Sequence, residues 1–211
     1  MKYIMTSGEF TDKCCNAADN HITTYALGTF GWNGSETMKQ RALKKNSNLI
    51  IKRNIKNMPS SGFMFDCVCF VKAILGGWNG DSTKIYGGTV VLSNSTKTGI
   101  VYGIDGLVPD TSADGMIKLC NEVSADFSDL KQGELVWMSG HVGVVVNPKT
   151  GLVVECTSKW QSKLLYSHIK GFPSTGVDAD KRERVWTKHG KLPWVDYSDQ
   201  KIKCPYCGKE F

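Results

Sequence analysis

Three residues lie in an order that suits acyl transfer: Cys67 at the start of a helix, His141 at the mouth of a strand and Glu155 on the strand that follows. Cys67 comes after Phe65-Asp66 and heads a run in which Val68, Val71, Ile74 and Leu75 recur with helical spacing before Gly76-Gly77. The pattern predicts a mostly buried helix of about three turns with Asp66 in the N-cap position. A thiol attacks as its thiolate, and the unpaired N–H groups and dipole of a first helical turn favour that anion. Cys69 points elsewhere on the helix and is expected to be a small core residue.

His141 directly follows Ser139-Gly140 and begins the apolar run 141–146, so a strand behind it can hold the ring rigid. The other histidines, His21, His168 and His189, stand in polar, loop-like or terminal surroundings. Glu155 sits between Val154 and Cys156 inside an apolar strand, where a charge needs a partner. If the turn at 147–151 closes a hairpin, an imidazole N–H across the ladder is that partner; otherwise the side chain faces solvent from a half-exposed strand. The first arrangement is a Cys-His-Glu set, in which the base activates the thiol and the carboxylate fixes its tautomer.

These residues need elements to position them. Residues 5–20 read as a helix, with Thr6 or Ser7 as cap and Glu9 completing a capping box. A Gly- and aromatic-rich stretch follows at 23–32. Residues 35–56 are basic and helix-compatible, interrupted around 46–48, and 59–62 is a loop. Residues 78–110 read as loops with a short strand at 89–92. Residues 112–122 read as a helix capped by Ser112. From there the pattern turns to strands at 134–138, 141–146 and 152–157, joined by short turns into an antiparallel meander, with a further strand at 184–187. Helices first and strands later predict an α+β fold, with N-terminal helices packed on an antiparallel β-sheet.

The ordered set Phe-Asp-Cys, Gly-Glu-Leu-Val-Trp-Met, Ser-Gly-His-Val-Gly-Val-Val-Val and Val-Val-Glu-Cys resembles the NlpC-type cell-wall peptidases over about residues 20–160. Tyr25-Ala26-Leu27-Gly28 is similar to that family's Pro-Tyr-Val-Trp-Gly-Gly motif, and 186–194 resembles a stretch shared by a subgroup of phage and gut-bacterial lysins. The resemblance implies a papain-like fold and hydrolysis of an amide in the wall peptide. The bond between D-glutamate and the diamino acid is the first expectation. The muramoyl–L-alanine amide and a non-catalytic wall-binding module are the alternatives. Cys67, His141 and Glu155 would be catalytic, and Tyr25, Asp66 and Ser139 would face substrate. The family's Ser-Gly after the nucleophile is Val68-Cys69 here, its frequent third histidine is Glu155, and an insertion separates the Tyr25 motif from Cys67.

The 211 residues suit a hydrolase domain at 1–198 and a Cys-x-x-Cys tail at 199–211. Cys204 and Cys207 have the spacing of half a tetrahedral zinc site. Cys14 and Cys15, a second chain or nothing would complete it; catalysis itself calls for no cofactor. The start, MKYIMTSGEF, lacks a signal-peptide core, and no stretch is long enough to span a membrane. The expected setting is a reducing cytoplasm, with action on the wall after release by phage lysis or another route. The formal charge of +6 is densest at residues 39–56, which suits a polyanion or simply a solvated helix face. The expected partner is bacterial peptidoglycan rather than nucleic acid, which would need a second ligand pair and a basic face with interleaved aromatics.

Overall fold

The first turn after Met5–Thr6 (β1) has amide donors that helix geometry leaves unpaired, and Thr6 and Glu9 satisfy them reciprocally. Glu9 Oε2 accepts from the Thr6 N–H at 2.9 Å, and Thr6 Oγ1 accepts from the Glu9 N–H at 3.2 Å. Helix α1 (Ser7–Asp19) follows, burying Phe10 and Cys14. The computed structural model describes residues 3–87, 108–173, 176 and 178–198, and the backbone alone of 89–93 and 96–102. It divides into two compact units, one of residues 17–111 and 156–165, the other built from residues up to 16, 112–155 and from 166 on.

In the first unit, Thr23–Tyr25 (β2) and Phe30–Asn33 (β3) lead into the helical hairpin α2 (Glu36–Lys45) and α3 (Leu49–Asn57). The break expected around 46–48 is a cap: Asn48 Oδ1 accepts from the N–H groups of Ile50 and Ile51. Phe63–Phe65 (β4) then pairs in parallel with β2, Tyr25 opposite Phe65, and antiparallel with β3. The three residues of β4 are too few to show a strand period in sequence. Helix α4 (Cys67–Leu75) follows at once, with all nine residues buried. Ala26, Trp32, Met38, Ala42, Ile55 and Met64 form a core between this small sheet and the hairpin. Gly31, at φ 77°, is required by close approach, since a Cβ there would stand 2.3 Å from the Trp78 ring. The backbone continues through Thr89–Ser93 (β5), Thr96–Tyr102 (β6) and Val108–Pro109 (β7), an antiparallel sheet where one short strand was expected.

In the second unit, α5 (Ala113–Leu119) is capped by Ser112, which accepts from the Gly115 N–H. The helix stops at Leu119, short of the expected 122. Cys120 turns extended and packs against Gly190, whose missing side chain makes room for it, and Asn121–Ser124 becomes strand β8. The remaining strands are β9 (Leu135–Met138), β10 (His141–Asn147), β11 (Leu152–Thr157), β12 (Lys163–Ile169), β13 (Glu183–Arg184), β14 (Lys188–Lys191) and β15 (Val195–Asp196). Six of them join β8 in one sheet, in the order β13-β12-β11-β10-β9-β14-β8. The β9-β10-β11 meander is antiparallel as expected, while β12 and β13 pair in parallel. The strand expected at 184–187 does not form: β13 ends at Arg184 and β14 begins at Lys188, and in the linking stretch the Thr187 N–H and hydroxyl both donate to the Trp137 carbonyl. Val136, Val145, Val153, Ile169 and Trp186 make the core on one face. Strand β15 pairs in parallel with β1, joining the two ends of the described chain. Helices and a mainly antiparallel sheet make this an α+β protein.

Two histidines depart from the sequence expectation. His168 is buried, its Nε2 2.7 Å from the Pro173 carbonyl. His189 is 1% exposed, with Nδ1 2.7 Å from Glu134 Oε2 and Nε2 2.8 Å from the Asp126 carbonyl. Burial lowers its pKa, but the Glu134 and Asp126 hydrogen bonds and the charges of Glu134 and Asp129 outweigh that and raise it above the ordinary value.

Candidate active site

Cys67 is the first residue of α4 and is buried at 7% exposure. The Asp66 carboxylate fixes its surroundings through both oxygens. Oδ1 accepts from the Cys69 N–H at 2.7 Å, which caps the helix, and Oδ2 accepts from the Gly28 N–H at 2.7 Å. Asp66 thereby binds the Tyr25-Gly28 segment to the helix that carries the thiol. Tyr25 reaches the same neighbourhood by register, since it pairs with Phe65 two residues before Cys67. Its backbone N–H is held by the Ser162 carbonyl at 2.8 Å. Burial first, then the nearby Cys67 and Asp66, pushes the Tyr25 pKa well up, so the phenol stays protonated and can donate. Cys69 is buried and its pKa is likewise driven far up, by desolvation and by Asp66, which makes it the core thiol expected.

The second unit holds the imidazole. Met138 pairs with His141 across the two-residue turn Ser139-Gly140. Gly140 takes φ 72°, which a glycine adopts without strain. Asp114 of α5 pins that turn: one carboxylate oxygen accepts from the Gly140 N–H at 2.8 Å and the Trp137 indole N–H at 2.9 Å. Those hydrogen bonds hold the Asp114 pKa below the usual value. Ser139 is exposed at the tip of the turn, one residue removed from His141.

The hairpin β10–β11 closes as the first of the two sequence alternatives required, with Val144 opposite Val154. Glu155 is 0% exposed, and its Oε2 lies 2.5 Å from His141 Nε2. Arg184 completes the pair, its Nε 2.7 Å from each Glu155 oxygen. Burial pushes the Glu155 pKa up, but the hydrogen bonds and charges of His141 and Arg184 more than offset this and hold it below the ordinary carboxylate value. Trp186 stacks on the His141 ring, centroids 5.5 Å apart and planes 12° from parallel, and the Arg184 guanidinium lies 5.8 Å from the Trp186 ring centroid. Gly143 makes that stacking feasible, because a Cβ there would lie 2.6 Å from Val153 and 3.3 Å from the Trp186 ring. His141 is thus held on its Nε2 edge and on one face, and Nδ1 is the nitrogen left for proton transfer.

Arg184, Trp186 and Asp114 were missed in the sequence. Arg184 heads the 184–187 segment and could have been found only by asking which cation balances a carboxylate on an apolar strand. Cys204 and Cys207 lie outside the described residues. Among the described residues no group of three or more His, Cys, Asp or Glu side chains is placed to hold a metal ion, and no helix is long and apolar enough to cross a membrane. Cys14 is buried in α1, and burial, then Cys15, raises its pKa well above the ordinary value. No protein-family model matches the chain, and no curated protein matches it.

Proposed function

We propose that this protein is a cysteine hydrolase of peptidoglycan that cuts an amide of the wall peptide, with Cys67 as nucleophile, His141 as base and Glu155 as the residue that orients the base. The observation that carries the reading is the restraint on His141. A fully buried carboxylate, itself neutralised by a buried arginine, holds one ring nitrogen and fixes the tautomer, as a base in acyl transfer needs. His189, by contrast, is held at both nitrogens. The helix-borne thiol and the strand-borne histidine also support a papain-like arrangement of the kind the sequence resemblance implies.

In this mechanism the Cys67 thiol gives its proton to His141 Nδ1 and attacks the amide carbonyl. The tetrahedral oxyanion is stabilised by backbone N–H groups, that of Cys67 among them. The C–N bond breaks as His141 returns the proton to the leaving amine, and a thioester remains on Cys67. Water, losing a proton to His141, then attacks the thioester and releases the acid and the thiol. The endopeptidase bond between D-glutamate and the diamino acid is the first candidate. The acidic third residue, Glu155, keeps the muramoyl–L-alanine amidase as a second reading.

Two measurements test this. Digestion of purified peptidoglycan by wild type releases fragments whose masses name the bond, and Cys67→Ser releases none; equal release by Cys67→Ser would remove the thiol from the mechanism. Alkylation of Cys67 by iodoacetamide follows pH. A thiolate paired with His141 reacts well below pH 7, and His141→Ala returns the profile to an ordinary thiol at about 8.5. Identical profiles would separate the two residues.

A further inference from the structure

The helical unit carries a cleft of about 370 Å³ that the mechanism above does not use. Its walls are aromatic: Phe30 and Trp32 from β3 and Tyr86 from the segment after α4. Cys69, in the first turn of the helix of the nucleophile, lines it as well. Two cations enter from α2. Arg41 and Lys45 are four residues apart and so project from the same helix face. Both are exposed, and the Arg41 guanidinium has no hydrogen-bond or ion-pair partner among the described residues. Lys45 Nζ donates one bond, to the Gly28 carbonyl at 3.1 Å, and lies 5.0 Å over the Trp32 ring, leaving donors for a ligand. The one acid on the lining, Asp110, is neutralised by Lys72 at 2.7 Å. The cleft therefore presents two positive charges above aromatic walls, a surface complementary to an anion with a short apolar stem.

Gly28 ties this cleft to the candidate nucleophile. Its carbonyl holds Lys45, and its N–H donates to Asp66, which caps α4. We propose that the cleft binds a free carboxylate of the wall peptide close to the scissile amide, Arg41 pairing with the carboxylate and Lys45 supporting it, while the aromatic walls take the adjoining alkyl chain. This rests on the peptidoglycan reading above. The cleft makes that reading specific: the enzyme selects stem peptides whose carboxyl groups are not amidated.

The test uses the tripeptide L-alanyl-γ-D-glutamyl-L-lysine, with its D-glutamyl α-carboxyl free or amidated, and titration calorimetry on the Cys67→Ala protein, so that no turnover intervenes. The free acid is expected to bind about tenfold more tightly than the amide. Arg41→Ala abolishes that difference, whereas Lys56→Ala, on the same hairpin but off the cleft, preserves it. With the active enzyme, Arg41→Ala raises KM about tenfold and leaves kcat unchanged. Equal affinity for the two peptides, no binding of either, or an Arg41→Ala variant that still discriminates overturns the proposal. The two readings fail separately. Arg41-dependent binding by a protein that cuts no wall leaves the cleft and removes the hydrolase. Cys67-dependent cutting with no change of KM in Arg41→Ala does the reverse.

Discussion

Glu155 is where the chemistry and the stability of the second unit meet. It orients His141 and also balances a buried arginine. Glu155→Gln is therefore expected to lower kcat by roughly two to four orders of magnitude through a misassigned tautomer. It should also lose about 3–5 kcal/mol of stability, because buried Arg184 keeps its charge and loses the carboxylate it contacts through both oxygens. Urea denaturation beside peptide release checks both, and a variant with normal stability would deny the carboxylate its second role. A pH dependence follows from the same unit. The depressed Glu155 pKa gives stability that is present above about pH 4.3, its unfolded value, and is lost as pH falls through the lower folded value. The raised His189 pKa gives stability that is present below about pH 6.5 and is lost as pH rises through the higher folded value. Resistance to urea should be greatest between these limits, and His189→Asn should flatten the alkaline decline. An unchanged slope would place the titration elsewhere.

At the level of elements, the β9–β10 turn is only as rigid as its tether to α5. Asp114→Ala releases the Gly140 and Trp137 N–H groups and should lower kcat roughly tenfold with little change in KM, since His141 is misplaced but substrate contacts remain. Asp114→Asn keeps the accepting oxygen and should restore most of the rate. Faster exchange of the Gly140 amide in Asp114→Ala identifies the loosened turn. The elements that sequence revealed are those with short-range signatures: the Thr6–Glu9 box, Asp66 before α4, Asn48 between α2 and α3, and the hairpins around His141. What it hid was non-local. Arg184 meets Glu155 across 29 residues, and nothing within its own segment marks it as a counter-ion. His189 sits among polar neighbours in the chain but is enclosed by Asp126 and Glu134, far from it in sequence, while His168 is buried by belonging to β12, a strand outside those expected from sequence. Residues 112–122 read as one helix because the demand of the sheet edge for β8 is likewise invisible from inside the segment.

Across the whole molecule, charge is concentrated. Residues 35–58 carry seven Lys and Arg against one acid, Glu36, as large an excess as the formal +6 of the entire chain. Screening is strong beyond about 10 Å at 0.1 M salt, so attraction of this hairpin to an anionic wall should fade steeply as salt is added. Lys44→Glu with Arg53→Glu, both off the cleft, should slow release from intact walls several-fold at low ionic strength and leave turnover of a soluble peptide unchanged; equal loss on both substrates would rule out surface attraction. The pairing of β1 with β15 and the late position of Arg184 bear on a different matter, the biosynthesis of the chain. At roughly 5–20 residues per second, a ribosome presents Cys67 many seconds before the arginine that anchors the carboxylate behind His141. A nascent chain stopped short of residue 184 holds the thiol, the imidazole and Glu155 but lacks the arginine that balances that carboxylate. The proposed wall-cutting activity would thus reach full strength only once residue 184 has been made and has docked against Glu155, and shorter products would cut more slowly.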